Sequence, residues 1–423
     1  MKKLTGKQIF TFLIITLSYG IMFRVSYMKN VFYDPMISAF GITNTQLATM
    51  TAFYSTTKIF VYVPCGLISD RLGARKSLTF ATTLLTVLTF GYAFAHEFWM
   101  LCLINAGLAV ANCMQLGAAL KIIRSIGSTD GQGRAMGMSE LMRGCASLLV
   151  NFVALGLFSA VEHTSDTPLR PVLIFYGCVY AVFAIFTFIV CPKKVSDDEV
   201  PPTLRDYLDT LKHPVVWLLA MLTMTAYAFE VCIDYTTPYL TNIMGMSTVI
   251  AGVLATIRSF GLSLFCGPVF GFINDKYKSY SRTLLFIFVL QAAVGIAFIC
   301  TPCDPAFVAL GIALTMLAAV GIYGFTSTQW TLLEEVKIPQ KVSATAVGII
   351  CMIGYTPDIF VSLLIGNRLD NSPGEEAYKF VFMYAVIFAL LALIVTFLVR
   401  RIVKKRQRAE AAAIQNENPL TDN

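Results

Sequence analysis

Long apolar runs separated by short polar breaks recur along nearly the whole chain. The runs are close to 20 residues, the length a helix needs to cross ~30 Å of hydrocarbon. In the first half they fall near Ile9–Phe32, Thr45–Ile68, Ser77–Ala95, Phe98–Leu120, Ala135–Ala160 and Val172–Cys191. In the second half they fall near Val215–Leu240, Thr248–Ile273, Thr283–Cys300, Ala306–Thr326, Ala344–Gly366 and Phe380–Val399. A lone segment in lipid must satisfy its own backbone hydrogen bonds, so each run predicts a helix. The first run follows the short basic stretch Met1–Lys7, as a signal peptide would. No small-residue cleavage site follows and Arg24 interrupts it, so it reads as an uncleaved span. The predicted fold is all-α: a polytopic membrane protein with 12 transmembrane helices in two six-helix bundles.

Composition supports this. Apolar residues make up 57% of the chain and charged residues 13%, against about 25% charged in soluble domains. So few charges cannot keep a soluble surface wet, which argues against a soluble enzyme, a disordered chain and a nucleic-acid binder. The net charge of +7 comes mostly from topology. With the N-terminus inside, 24 of the 32 Lys and Arg fall in cytoplasmic segments, as the positive-inside rule requires. The expectation is a multi-pass plasma (inner) membrane protein with both termini cytoplasmic. Its partners would be the lipid bilayer and a small solute, with no nucleic acid, cofactor or metal, and the chain reads as a monomer. The eleven cysteines lie mostly inside apolar runs, where Cys behaves as a small hydrophobe. The close pair Cys300-Thr-Pro-Cys303 lacks the α/β surroundings of a redox motif.

The polar stretch around Pro201-Pro202 divides the chain. The expected organisation is a bundle at 1–192, a cytoplasmic linker with a short amphipathic helix at 193–213, a second bundle at 214–400 and a basic tail at 401–423. The halves echo each other. Gly66-Leu67-Ile68-Ser69-Asp70-Arg71 follows the second span, and Gly271-Phe272-Ile273-Asn274-Asp275-Lys276 follows the eighth. Such repeats fit two halves related by an axis along the membrane normal. The longer stretch Gly66 to Lys76, with Gly66, Asp70, Arg71, Gly73 and Arg75, resembles the signature loop of the major facilitator superfamily. Gly271 and Asp275 provide its second copy. The resemblance implies a gating role: glycines that let helices close tightly, Asp70 accepting bonds from a helix N-terminus, and basic residues pairing across the halves.

Ionisable residues inside spans are costly in lipid and mark an aqueous pathway. The basic ones are Arg24, Lys58, Arg143 and Arg258; Lys29 lies near enough to a span end to snorkel to the surface. The acidic ones are Glu140, Glu230, Asp234 and Asp358. Each has a structural alternative. Glu140 and Arg143 can neutralise each other, Glu230 or Asp234 can pair with Arg258 or Arg24, and Asp358 can bond backbone freed by Pro357. Tyr27 and Tyr54 lie one turn from Arg24 and Lys58. Four cations spread over four spans favour a basic cavity for an anionic solute, bound by Arg24, Tyr27, Tyr54, Lys58, Arg143 and Arg258.

Within the superfamily the chain is most similar to the organophosphate:phosphate antiporter branch and its uncharacterised relatives. The similar stretches are Lys29-Asn30 leading to Pro35, Asp234 to Leu240, and Glu334 to Pro339. That resemblance implies basic phosphate ligands on helices 1 and 7 and a histidine on helix 5. Here the helix-1 role falls to Arg24, the helix-5 position holds Arg143, and helix 7 carries Glu230 and Asp234 instead of a base. The predicted function is therefore proton-coupled symport of a small organic anion, such as a sugar acid, sugar phosphate or sulfonate, by alternating access. Glu230, Asp234 and Asp358 are the candidate proton carriers. Protonated Glu230 would release a site arginine from an ion pair. The other readings are an anion-for-phosphate antiporter, a transporter-like solute receptor, and an exporter of cationic compounds. No catalytic motif argues for an enzyme.

Overall fold

A computed structural model describes residues 6–126, 132–164, 167–192, 212–277, 280–329, 332, 340–372 and 374–417. The linker at 193–211 and the stretch Glu334 to Pro339 lie outside them. Among the described residues there is no strand. Ten segments are long and apolar enough to cross a membrane, joined by a shorter apolar helix at the start. The expected count of twelve is compatible with this once the 29-residue helix Asn44–Leu72 is included.

The first half contains α1 (Gly6–Ile21), α2 (Tyr33–Phe40), α3 (Asn44–Leu72), α4 (Ala74–Phe94), α5 (Phe98–Ile126), α6 (Gln132–Val161) and α7 (Leu169–Val190). The second contains α8 (Pro214–Asp234), α9 (Thr236–Asn242), α10 (Thr248–Thr256), α11 (Leu262–Tyr277), α12 (Tyr280–Cys300), α13 (Val308–Thr328), α14 (Gln340–Gly354), α15 (Pro357–Asn371) and α16 (Glu375–Glu417). Within the first half α3 packs on α5, α4 on α5 and α7, and α1 on α6; within the second, α16 packs on α8 and α12, and α14 on α8. Between halves, α3 meets α15 and α6 meets α10.

Four of the spans expected to be continuous are interrupted. The chain leaves helical geometry after Ile21, turns through a 3₁₀ segment at Met28–Asn30 and resumes at α2. Pro238 explains the break between α8 and α9. Proline has no N–H for the carbonyl four residues back and clashes with it, and four back is Asp234, the last residue of α8. Pro357 ends α14 by the same rule, acting on Ile353. Bonds from the protein take up the carbonyls near these breaks. Thr236 Oγ1 donates to Ile233 O at 2.7 Å and Thr356 Oγ1 to Ile353 O at 2.7 Å. Tyr180 Oη donates to Ile21 O at 2.9 Å. Non-helical backbone at membrane depth survives only with such partners. The fourth interruption is a π-turn at Ile257–Gly261, between α10 and α11.

At one end of the bundle, the distal end, the halves are joined by α2 on α9 and by the starts and ends of α3 and α15. Gly41, at φ +61°, terminates α2 in the left-handed region that suits glycine. Thr43 and Gln46 then form a capping box on α3. Gly366 lies against α3 so closely that a Cβ would stand 2.8 Å from Asn44 O. Along α6 and the α10–α11 helix two glycines receive leucines reciprocally. A Cβ at Gly144 would collide with Leu264, and one at Gly252 would meet Leu155 at 2.6 Å.

The opposite end corrects one expectation. Among the described residues Gly66 and Gly271 do not hold helices together, since a Cβ at either would meet none of them within 4 Å. Inter-half contact among the described residues is concentrated distally, so these glycines have no close described neighbour to admit. Gly73, at φ +81°, makes the turn between α3 and α4, and Arg75 donates to Phe188 O. Arg71 is exposed. The side chains of Asp70, Asp275 and Glu140 fall outside the described residues.

Candidate functional site

The interrupted helices bring their ionisable residues to the interface between the halves. Arg24 is in the irregular stretch after α1, with only 8% of its surface exposed. Its guanidinium carbon lies over the Phe260 ring, 3.8 Å from the centroid. It donates to no described residue, and its Nε is buried without an acceptor. A buried guanidinium normally has its donors satisfied, so this edge is free for a ligand. Lys58, on α3, is similar. Its Nζ stands 5.0 Å from the Tyr355 ring and 5.8 Å from Phe23, with no hydrogen bond or ion pair to a described residue. Arg143 lies 5.7 Å over the Tyr19 ring and has further partners of its own.

Arg258 departs from the expected role. It is buried, and its Nη2 makes a 2.8 Å ion pair with Asp234. Its Nη1 donates to Ile233 O and to Thr236 Oγ1 at 3.2 Å. The guanidinium thus fills the break between α8 and α9 and has little left for a solute. The other oxygen of Asp234 accepts from Asn30 Nδ2 of the first half at 3.0 Å.

Asp358 bonds no freed backbone among the described residues. It is 3% exposed, and its Oδ2 accepts from three hydroxyls: Tyr227 at 2.9 Å, Tyr27 at 3.1 Å and Ser55 at 3.1 Å. Tyr27 and Ser55 come from the first half and Tyr227 from the second, so the carboxylate joins the halves. Tyr54 faces inward within its own half, where its hydroxyl accepts from Asn112 Nδ2 at 3.0 Å, and its ring packs edge-on to Tyr27.

Lys29 does not snorkel. It is 6% exposed, with Nζ 3.5 Å from Ser362 Oγ and 5.9 Å from the Tyr235 ring. The 3₁₀ turn directs it across the interface toward α15, between Asp234 and Asp358. Glu230 forms no hydrogen bond or salt bridge with any described residue. The expected ion pair between Glu230 and a site arginine is therefore absent, because Arg258 is taken by Asp234 and Arg24 by Phe260.

Two distal carboxylates had no role in the sequence reading. Asp34 accepts from Thr241 Oγ1 at 2.5 Å and Asn242 Nδ2 at 3.0 Å. Asp370 accepts from the backbone N–H of Asn44 at 3.0 Å and of Thr45 at 2.7 Å. It thereby caps α3 from the other half, where the first-turn N–H groups are free. Asp358, Asp234, Asp34 and Asp370 form successive tiers of polar contact closing the distal end. Their positions at breaks and helix ends were a readable signal; their partners were not.

Residues 12–362 match the family described as Major Facilitator Superfamily. The chain is 27% identical over 412 residues to inner membrane protein YqcE of Escherichia coli (strain K12), covering 95% of this chain and 97% of that protein. It is 26% identical to inner membrane protein YihN of the same organism, covering 97% and 99%. Among solved structures, a bacterial homologue of the human lysosomal transporter Spinster has a TM-score of 0.76 at 15% identity, covering 95% of this chain and 98% of that one. The nucleoside transporter NupG has a TM-score of 0.71 at 12% identity, covering 95% and 100%. An all-helical, multi-pass membrane chain with a repeated glycine–aspartate loop and a family match over most of its length belongs to the major facilitator superfamily.

Proposed function

We propose that this superfamily transporter carries a small organic anion, of the sugar acid, sugar phosphate or sulfonate class, by proton-coupled symport. The observation that carries the reading is Arg24: a buried guanidinium over an aromatic ring, with no acceptor among the described residues. Guanidinium presents parallel donors that suit carboxylate, phosphate and sulfonate oxygens. Lys58, held between aromatic rings with no counter-ion among the described residues, adds a second positive charge. Tyr27 and Arg143 border the same region. Glu230 is the proton carrier, because its protonation breaks no existing bond. Protonating Asp234 would break the pair with Arg258, which gives that aspartate and its arginine a positioning role.

The halves 1–192 and 214–400 rock about the site to expose it alternately to each side. The distal end faces outward and both termini lie in the cytoplasm of a cell bounded by this inner membrane, as the distribution of basic residues requires. Uptake of labelled gluconate, glucose 6-phosphate and methanesulfonate into proteoliposomes, with and without an inwardly directed proton gradient (acid outside), tests the reading. Gradient-stimulated uptake of at least one, lost in Arg24→Gln, is expected. Uptake of cations alone would refute it.

A further inference from the structure

The π-turn at Ile257–Gly261 touches two groups that have so far stood apart. Its i→i+5 geometry is shown by the bond from Leu262 N–H to Ile257 O, an arrangement that recurs at functional sites. The turn is held from three directions. Arg258 reaches back to Asp234, Ile233 O and Thr236 on α8 and α9. Ser259 O accepts the hydroxyl of Tyr323 on α13. Phe260 lies beneath the guanidinium of Arg24, which belongs to the other half. Two residues apart on one short turn, Phe260 and Arg258 thus serve the free cation and the Asp234–Asn30 closure respectively.

We infer that this π-turn couples anion binding to distal closure, with Phe260 as the positioning residue for Arg24. The inference rests on the anion reading of Arg24. An anion at the guanidinium edge competes with the ring for Arg24, because a paired guanidinium has less positive charge to offer the ring face. Phe260 then shifts relative to Arg24, and the shift is carried along a five-residue backbone to Arg258. Arg258 is the only described cation within ion-pair distance of Asp234, so its displacement weakens the contact of Asp234 with Asn30. Substrate arrival is thereby converted into release of one tier of the closed end.

Hydrogen–deuterium exchange of the full chain in nanodiscs, followed over residues 28–32 and 235–244, tests this. Phe260→Leu removes the ring face, and Arg258→Lys removes the fork that spans Asp234, Ile233 O and Thr236. Each is expected to speed exchange in both segments by about two- to thirtyfold, the range a cation–π contact supports. The double variant should exchange no faster than the faster single one, since both act through one element. Phe260→Tyr, which keeps the ring face, should match the wild type, whereas Phe260→Met, which keeps apolar bulk without a ring, should behave as Phe260→Leu. Multiplying effects in the double variant, or no effect of Phe260→Leu, would overturn the coupling.

The same experiment on the wild type takes gluconate, inorganic phosphate and methanesulfonate in turn, with chloride as the control. An anion that raises the unfolding temperature should also speed exchange in these segments, and Phe260→Leu should abolish its response. An anion that binds without changing exchange overturns the coupling alone. Failure of all three to bind overturns the anion reading, and with it the trigger, whatever the mutant cycle shows.

Discussion

Asp358 offers the most direct measure of how strongly the distal end is held shut. Three hydroxyls converge on its Oδ2, but only those of Tyr27 and Ser55 come from the opposite half. A hydrogen bond to a charged group contributes about 1.5–3 kcal/mol, against about 0.5–1.5 for a neutral pair. Asp358→Asn keeps an acceptor oxygen while removing the charge, so each crossing bond loses roughly 1 kcal/mol and the pair roughly 2. At 1.4 kcal/mol per factor of ten, the distally open population should rise about thirtyfold. Tyr227→Phe serves as the control, because its bond lies within one half and should leave the balance within about threefold. Spin labels at Ser38 and Asn371, both exposed at the distal end, report the opening through their separation. They are best attached through noncanonical amino acids, since all eleven native cysteines are free. An unchanged distance distribution in Asp358→Asn, or an equal shift in Tyr227→Phe, would refute the bridging role.

Further outcomes concern the site and the interface. Arg24→Lys retains the charge but loses both the fork and the guanidinium's place over Phe260, so anion affinity should fall at least about tenfold in a calorimetric titration. Uptake by Glu230→Gln should be equal at pH 5.5 and pH 7.5 and move no protons, measured with a pH dye trapped in the proteoliposomes; retained coupling would exclude Glu230. Gly366→Ala sets a methyl 2.8 Å from the rigid carbonyl of Asn44. It should destabilise the closed arrangement by about 1–3 kcal/mol, read as faster amide exchange at Asn44 and Thr45.

The helices, the repeat and the end-to-end order of the chain were legible because hydrophobic length and loop charge are local properties. The breaks at Asp234 and Ile353 were readable too, each four residues before a proline, yet an apolar run alone conceals them. Lys29 shows what a linear reading loses. Counted along a straight helix it lies within snorkelling reach of the surface; the turn after Ile21 instead carries it inward across the interface. In the sequence Arg258 fits both a ligand-binding base and a partner for Asp234, 24 residues away on another helix, and the fold decides for the pair. The π-turn leaves no hydropathy signal, since all but one of its residues suit a continuous span. Asp34 and Asp370 looked like ordinary residues at span ends because their worth depends on the opposing half.

The reciprocal glycine–leucine contacts between α6 and the α10–α11 helix differ in kind from the carboxylate tiers. They contain no hydrogen bond and no charge, only a side chain seated in the hollow left by a missing Cβ. Any relative rotation of the halves must break and remake polar contacts at the distal end, whereas two smooth sockets can roll without exposing an unpaired dipole to lipid. The seam is therefore suited to act as a bearing for the proposed rocking of the halves, one that would keep them in register without setting selectivity. Substitutions that enlarge Gly144 or Gly252 belong to the rate of turnover, and the choice of solute should pass through them untouched.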